Sequence, residues 1–263
     1  MELPPLMCEE GEHVDGAIDV QGRVVFHSMN RLASEQTGTA IDTTALLAEV
    51  VDMQTFSAAA QLDLAGEACE TAIMGSCSFC FTDIPVTTDT AGLGVAIRDG
   101  RTGDRKWITT LQEAGTAERL ADLQAETAPL DTAVGFAVTR DALDTVIAPL
   151  TGLSGDELME RGVIFGLVYA NTANGERGVP LAGAVVTAND SDVIVIHPGS
   201  KLSGVGSATN QQGIFPAIPR EPGVLATTFT VTPPEGASQT WNVDQVGRFV
   251  PDTMYFQVMH TVD

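Results

Sequence analysis

The sequence predicts a mainly β protein, with two β-sandwich domains joined by a short α-helical connector. Short segments alternate between apolar and polar side chains, and the 13 prolines and 26 glycines tend to separate them. A weak internal repeat then gives the chain two similar halves. Together these patterns are typical of sandwiches with many turns.

The composition narrows the class of protein. At 263 residues, with 44% hydrophobic residues, the chain is long enough for two domains with real cores. Thirteen basic residues against 35 acidic ones give a net charge of −22, which argues against binding nucleic acid or an anionic membrane. Since no long uninterrupted apolar segment occurs, we expect no membrane span.

The internal repeat is carried by matching landmarks in the same order. Each copy opens with a strand that contains a glycine, Gly22 in the first and Gly166 in the second. Each later carries the pattern Phe-x-x-Ile-Pro, which starts at Phe81 and at Phe215. Several matches in one order favour two related β-domains over coincidence.

Individual strands follow from the alternation of side chains. Residues 18–26 alternate as a half-buried strand, and residues 163–169 are apolar on both faces, as in a covered central strand. In residues 224–232 we expect Leu225, Phe229 and Val231 to face the core. The Ala-rich stretch 58–77 is not predicted as a strand.

Between the two copies, residues 114–161 have helical patterns. Thr116 and Thr139 are predicted N-caps. Ser154 and Glu157 form a capping box at the start of a short helix that ends at Gly162. This segment is interpreted as a rigid helical connector or, alternatively, as a lid over a site. The predicted organisation is an N-terminal arm (1–13), a first sandwich (14–113), the connector (114–161) and a second sandwich (162–263).

The second half carries a family resemblance. Residues 163–171 run into a turn rich in Asn and Gly, residues 179–184 (VPLAGA) lead into another strand, and residues 210–215 (NQQGIF) follow. This stretch resembles the carboxypeptidase-regulatory-like domain, a transthyretin-like (prealbumin-like) or Ig-like sandwich. The resemblance is clear in residues 162–263 and weaker in 14–113. It implies an accessory domain that supports, binds or assembles.

Four cysteines form the cluster with the most informative spacing: Cys8, Cys69, Cys77 and Cys80. On a strand, Cys77 and Cys80 point to opposite faces, so a bond between them is awkward. We expect two disulfides, Cys69–Cys77 and Cys8–Cys80. A zinc site built on Cys77-x2-Cys80, or a redox pair, stays open as an alternative, although a second knuckle and a helix start are missing.

Motifs for catalysis are missing from the sequence. It has no Gly-x-Ser-x-Gly, His-Glu-x-x-His, P-loop or dinucleotide fingerprint, and its four histidines are scattered. We therefore predict a protein that is not an enzyme, without catalytic, cofactor-binding or metal residues. Calcium at the loop pairs Asp190/Asp192 or Asp83/Asp89 is weighed against ordinary solvated carboxylates, which are favoured.

Two classes of function stay open, besides a weaker third, an enzyme with its site at the connector. The first is an extracellular, cell-surface or periplasmic structural protein that self-associates when residues 1–17 add a strand to a neighbour. The second is an adhesion module for glycan or protein, with Trp107 or Trp241 stacking on a sugar. The N-terminus has no signal-peptide pattern, and we expect a signal to have been removed, from the cysteines and the resemblance together.

Overall fold

The protein is mainly β, as predicted, in a computed structural model that describes residues 14–64, 76–171, 177–223, 225–237, 240–241 and 246–262. The chain divides into two compact units, Met1–Arg140 and Asp141–Asp263. In the described residues, no helix is both long and apolar enough to cross a membrane.

The described part of unit 1 contains two sheets. Its strands are β1 (Ala17–Phe26), β2 (Leu46–Asp52), β3 (Ala58–Asp63), β4 (Ser76–Pro85), β5 (Gly92–Asp99), β6 (Thr109–Thr116) and β7 (Leu130–Ala137). One sheet has the order β4-β1-β7, with β1 antiparallel to β4 and parallel to β7. The other has the antiparallel order β6-β5-β2-β3.

The core of unit 1 lies where these two sheets meet. Val20 and Val24 from β1, Phe79 from β4 and Val95 from β5 belong to one buried cluster. Two helices accompany the sheets: α1 (Ser28–Thr37) and α2 (Ala117–Glu126). The predicted cap of α2 is confirmed, since the Thr116 hydroxyl accepts a hydrogen bond from the Arg119 N–H.

Unit 2 has a larger number of shorter strands. They are β8 (Val163–Asn171), β9 (Arg177–Pro180), β10 (Val185–Ala188), β11 (Val193–Val195), β12 (His197–Pro198), β13 (Val205–Gly206), β14 (Ile214–Pro219), β15 (Ala226–Thr232), β16 (Thr240–Trp241), β17 (Val246–Arg248) and β18 (Thr253–Val262). One sheet includes the order β11-β14-β8-β18 and another has the order β10-β15-β17, while β12 and β13 pair with each other.

Short helices precede these strands in the chain. They are α3 (Arg140–Ala142), a π-helical turn (Leu143–Ile147), α4 (Ala148–Thr151) and α5 (Gly155–Arg161). The predicted capping box is confirmed at the start of α5, where Ser154 and Glu157 each accept from the other's backbone N–H.

The two units share one arrangement around their central strands. In unit 1, β1 lies between antiparallel β4 and parallel β7; in unit 2, β8 lies between antiparallel β14 and parallel β18. Gly22 is directly opposite Phe79, and Gly166 is directly opposite Phe215. A Cβ at either glycine would overlap the facing phenylalanine ring, so each glycine makes room for an aromatic side chain.

This register corrects one detail of the predicted repeat. By position, the counterpart of Phe215 is Phe79, although the pattern Phe-x-x-Ile-Pro had selected Phe81. The two strands also differ in regularity, since the pairing of β1 with β4 shifts by one residue between Ile18 and Val20, and Asp83 in β4 has a left-handed backbone with φ 56°.

Three expectations about secondary structure were wrong. The segment 114–161 is not a purely helical connector, because Leu130–Ala137 forms β7 and pairs with β1. Within the Ala-rich stretch, Ala58–Asp63 forms β3, because the neighbouring strand β2 supplies a hydrogen-bonding partner that alternation does not reveal. Leu225 does not face the core and is 70% exposed, since it lies one residue before β15 begins.

Candidate functional site

The strand β3 is an exposed edge of its sheet. Within the described residues it pairs only with β2, and nearly all of its residues are exposed. Just beyond its end, the Leu64 N–H donates to the Leu46 carbonyl at 2.9 Å. Because donors alternate along an antiparallel strand, Leu62 and Ala60 also turn their N–H groups toward β2, and Gln61 turns its N–H and C=O away.

Most of β3 has no side chain that protects this edge. From Ala58 to Leu62 the strand has no charged residue and no proline, the two devices that commonly prevent strand addition, and its only charged residue is Asp63 at its end. Leu62 is 36% exposed, and so is Phe56 in the turn before the strand. The edge is therefore chemically suited to accept another strand through backbone hydrogen bonds.

The β10 edge in unit 2 is closed, in contrast to β3. The Val186 N–H donates to Nε2 of His197 at 3.0 Å. The backbone of Ala184 exchanges hydrogen bonds with Thr209: the Ala184 N–H donates to the Thr209 hydroxyl, and the Thr209 N–H donates to the Ala184 carbonyl. Burial lowers the pKa of His197, which keeps the imidazole neutral so that Nε2 can accept. A side chain and a loop thus occupy polar groups to which an added strand would bind.

A buried carboxylate organises the loop after β5, and the sequence analysis did not predict it. The side chain of Asp99 is fully buried and accepts from the backbone N–H groups of Arg101, Lys106 and Trp107. Burial alone would raise the pKa of Asp99, but these hydrogen bonds, together with one from the Arg101 guanidinium, outweigh it, and the pKa is lowered. Every contact here is internal, so the cluster holds a loop in place.

Arg101 extends the same cluster to the segment before β2. Its Nη2 lies 2.6 Å from a carboxylate oxygen of Asp42 and 2.8 Å from the hydroxyl of Thr44. The signal that sequence reasoning could have used is the Asp99-x-Arg101 spacing at a strand end, which allows the Asp99 side chain to accept from the Arg101 N–H two residues on.

Trp107 is part of the core of unit 1. It is 2% exposed, its Nε1 donates to the Asp42 carbonyl at 2.8 Å, and its ring meets Phe26 edge-on at 5.8 Å. The predicted role of Trp107 as a sugar-stacking platform is therefore wrong, because the ring has no open face. The side chain of Trp241 lies outside the described part of the chain, so its stacking role stays a prediction.

The described cysteines lie as their spacing predicted. Cys77 is opposite Val24 and buried, whereas Cys80 is opposite Gln21 and half-buried on the other face of β4. Cys8 and Cys69 lie outside the described residues, and so does the N-terminal arm 1–13. The pairing of the four sulfurs stays a prediction.

Two of the residues weighed for calcium make hydrogen bonds within the protein. The Asp190 carboxylate accepts from the Asp192 N–H at 2.8 Å, and the Asp83 backbone N–H donates to the carboxylate of Asp19. In the part of the chain that the structure describes, no group of three His, Cys, Asp or Glu residues is placed to hold a metal ion.

Comparison with known proteins gives little further information. No protein-family model and no curated protein matches the chain, so the resemblance to the carboxypeptidase-regulatory-like domain is not confirmed by a family match. Several solved structures of pilins align along most of its length.

A streptococcal ancillary pilin is 11% identical, with a TM-score of 0.23 and coverage of 93% of this chain and 69% of the pilin. A shaft pilin of Lactobacillus rhamnosus GG is 8% identical, with a TM-score of 0.24 and coverage of 94% and 98%. A minor pilin of Streptococcus agalactiae is 11% identical, with a TM-score of 0.24 and coverage of 93% and 97%. TM-scores this low do not establish a common fold, and these likenesses carry no conclusion about this chain.

Proposed function

We propose that this protein is a non-catalytic structural module of the cell surface or extracellular space, and that it self-associates by strand addition. The acceptor is the outer edge of β3. The donor is the N-terminal arm, residues 1–13, of another copy. The observation that carries the proposal is the edge of β3, which has no charged side chain from Ala58 to Leu62 and is bonded to β2 on its other side, in a molecule whose β10 edge is closed by His197 and Thr209.

Charge supports the choice of this edge. Two chains of net charge −22 repel each other, and burying a carboxylate at an interface carries a large desolvation cost. Strand addition at residues 58–62 joins backbone groups, and none of these five acceptor residues carries a carboxylate.

Two disulfides, Cys69–Cys77 and Cys8–Cys80, complete the proposal. Cys77 and Cys80 point to opposite faces of β4, which supports separate partners, and neither is a free thiol. The bond from Cys8 would fix the arm to its own chain or to the neighbouring copy. Peptide mapping without reduction distinguishes these pairings, and a Cys77–Cys80 link would contradict them.

The test is the mass in solution by light scattering, with Gln61→Pro compared against Gln61→Ala. Proline removes the outward N–H of Gln61 and is tolerated on an edge strand, whereas alanine removes the same side chain and keeps the N–H. We expect the wild-type chain and Gln61→Ala to form oligomers of the 27.6 kDa subunit. Gln61→Pro and a deletion of residues 1–13 should be monomers.

Other results would count against the proposal in different ways. A wild-type chain that stays monomeric at all concentrations contradicts self-association. Oligomers of Gln61→Pro that match wild type contradict β3 as the acceptor. Calorimetry of each variant establishes that the fold is intact, and Leu62→Lys, which places a charge on the same edge, provides a second blocking variant.

A further inference from the structure

The turn that follows β10 carries the sequence Asn189-Asp190-Ser191. An asparagine followed by any residue except proline and then by Ser or Thr is the acceptor pattern for N-glycosylation. Of the six asparagines in the chain, this one alone has Ser or Thr two residues later. The pattern is short and occurs by chance, so Asn189 is a candidate acceptor only if the structure leaves it accessible.

That position is accessible. Asn189 is exposed and lies directly after the last residue of β10, and its backbone N–H donates to the Thr228 carbonyl at 2.9 Å. An open groove of about 530 Å³ begins at this turn and is lined further by Ala226, Thr228 and Val246. A sugar attached at Asn189 has an open surface beside it, with hydroxyl groups and small apolar side chains.

Hydrogen bonds hold the side-chain amide of Asn189 in place and require only one of its two N–H hydrogens. Its Nδ2 donates one hydrogen to the Thr228 hydroxyl at 2.7 Å, and its Oδ1 accepts from the Thr230 hydroxyl at 3.0 Å. A primary amide has two N–H hydrogens, so one remains for substitution. The substituted amide still has one N–H and its carbonyl oxygen, so both hydrogen bonds can persist in the glycosylated protein.

We propose that Asn189 is an N-glycosylation acceptor, with the first sugar lying along the groove beside β15. In the reaction, Nδ2 loses one proton and forms a bond to C1 of a sugar. The bond from C1 to the diphosphate of a polyprenyl-diphosphate donor breaks, and the polyprenyl diphosphate leaves with the electron pair. A separate membrane-bound transferase supplies catalysis. This inference rests on the exported location in the proposed function.

Expression in a eukaryotic secretory pathway, behind an added signal sequence, tests the site with a matched pair of variants. Ser191→Thr keeps the acceptor pattern and Ser191→Ala removes it, while Asn189 and its partners stay unchanged. We expect intact-mass spectrometry to show a glycan on the wild-type chain and on Ser191→Thr. Ser191→Ala and Asn189→Gln should have the mass of the bare chain, and peptide mapping should place the sugar on Asn189.

A secreted wild-type chain without a glycan at Asn189, or a Ser191→Ala chain that keeps one, would overturn the site. Calorimetry on Ser191→Ala and Ser191→Thr separates loss of the glycan from loss of the fold. Light scattering on Asn189→Gln tests self-association in the unmodified chain. A glycosylated monomer would contradict only the proposal of self-association, and an unmodified oligomer would contradict only the proposal of glycosylation at Asn189.

Discussion

Replacing Gly166 with alanine tests the packing of an aromatic ring over a glycine in unit 2. The Phe215 ring is fully buried, lies over Gly166 in the facing strand and meets Phe229 edge-on at 5.4 Å. A Cβ at position 166 would overlap three atoms of that ring. The ring cannot move aside freely, because Phe229 is also fully buried.

The expected cost follows from this geometry. Overpacking a well-filled core by one methyl group destabilises a protein by roughly 1–3 kcal/mol, and Gly166→Ala should fall in the upper part of that range. Phe215→Leu alone removes contacts and should destabilise by about 1–3 kcal/mol, which is less than the ~3–5 kcal/mol for truncation of a buried phenylalanine to alanine.

The double variant, which combines Gly166→Ala with Phe215→Leu, gives the decisive comparison. The smaller leucine side chain leaves room for the added methyl group, so the free-energy loss of the double variant should be smaller than the sum of the single losses by about 1 kcal/mol or more. Differential scanning calorimetry of the wild type, both single variants and the double variant measures these losses. Additive losses, or a Gly166→Ala variant as stable as wild type, would refute the view that the glycine exists to accommodate Phe215.

Three further perturbations test single contacts. Burial lowers the pKa of His27, the N-cap of α1, to about 4, so the contribution of the neutral imidazole to folding stability is complete above pH 6.5 and is lost as the pH falls toward 4. With about 1.4 kcal/mol per pKa unit, the free energy of unfolding of unit 1 should fall by up to about 3 kcal/mol in that window. His27→Asn, which caps the helix without titrating, should remove this dependence when unfolding is measured as a function of pH. His197→Ala leaves the Val186 N–H without its acceptor, so we expect the free energy of unfolding to fall by about 1–3 kcal/mol and hydrogen exchange at the Val186 amide to become faster. Unchanged exchange would contradict the view that His197 closes the β10 edge. Asp99→Ala leaves three backbone N–H groups without their acceptor and removes one of the partners of the Arg101 guanidinium, so urea denaturation should show a loss of about 3–5 kcal/mol. A loss below about 1 kcal/mol would show that water or Asp42 replaces the carboxylate.

The sequence was informative where a structural feature depends on neighbouring residues. Alternation identified the strand around Gly22, and the caps at Thr116 and Ser154 follow from the spacing of donor and acceptor within one turn of helix. These features are local, so the sequence pattern and the three-dimensional contact involve the same few residues.

Features that depend on partners distant in the sequence were missed, because a local sequence pattern does not include those partners. The strand β3 has no alternation of its own and forms because β2 pairs with it. The burial of Trp107 depends on Phe26 and on the Asp42 carbonyl, which are remote in sequence. The role of His197 as acceptor for the Val186 N–H depends on how the segment from β10 to β12 folds.

The proposed assembly makes a prediction about salt that separates strand addition from ion pairing. Each subunit has a net charge of −22, so association works against repulsion between like charges. Salt screens that repulsion, because the Debye length shrinks from about 10 Å at 0.1 M to about 3 Å at 1 M. Backbone hydrogen bonds at β3 involve neutral groups and are not weakened in this way. The concentration needed for half-assembly should therefore fall about tenfold over this range in light-scattering titrations, and Gln61→Pro should remain monomeric throughout. Assembly that weakens as salt rises would mean that ion pairs hold the subunits together, and an uncharged strand such as Ala58–Leu62 would then be the wrong surface.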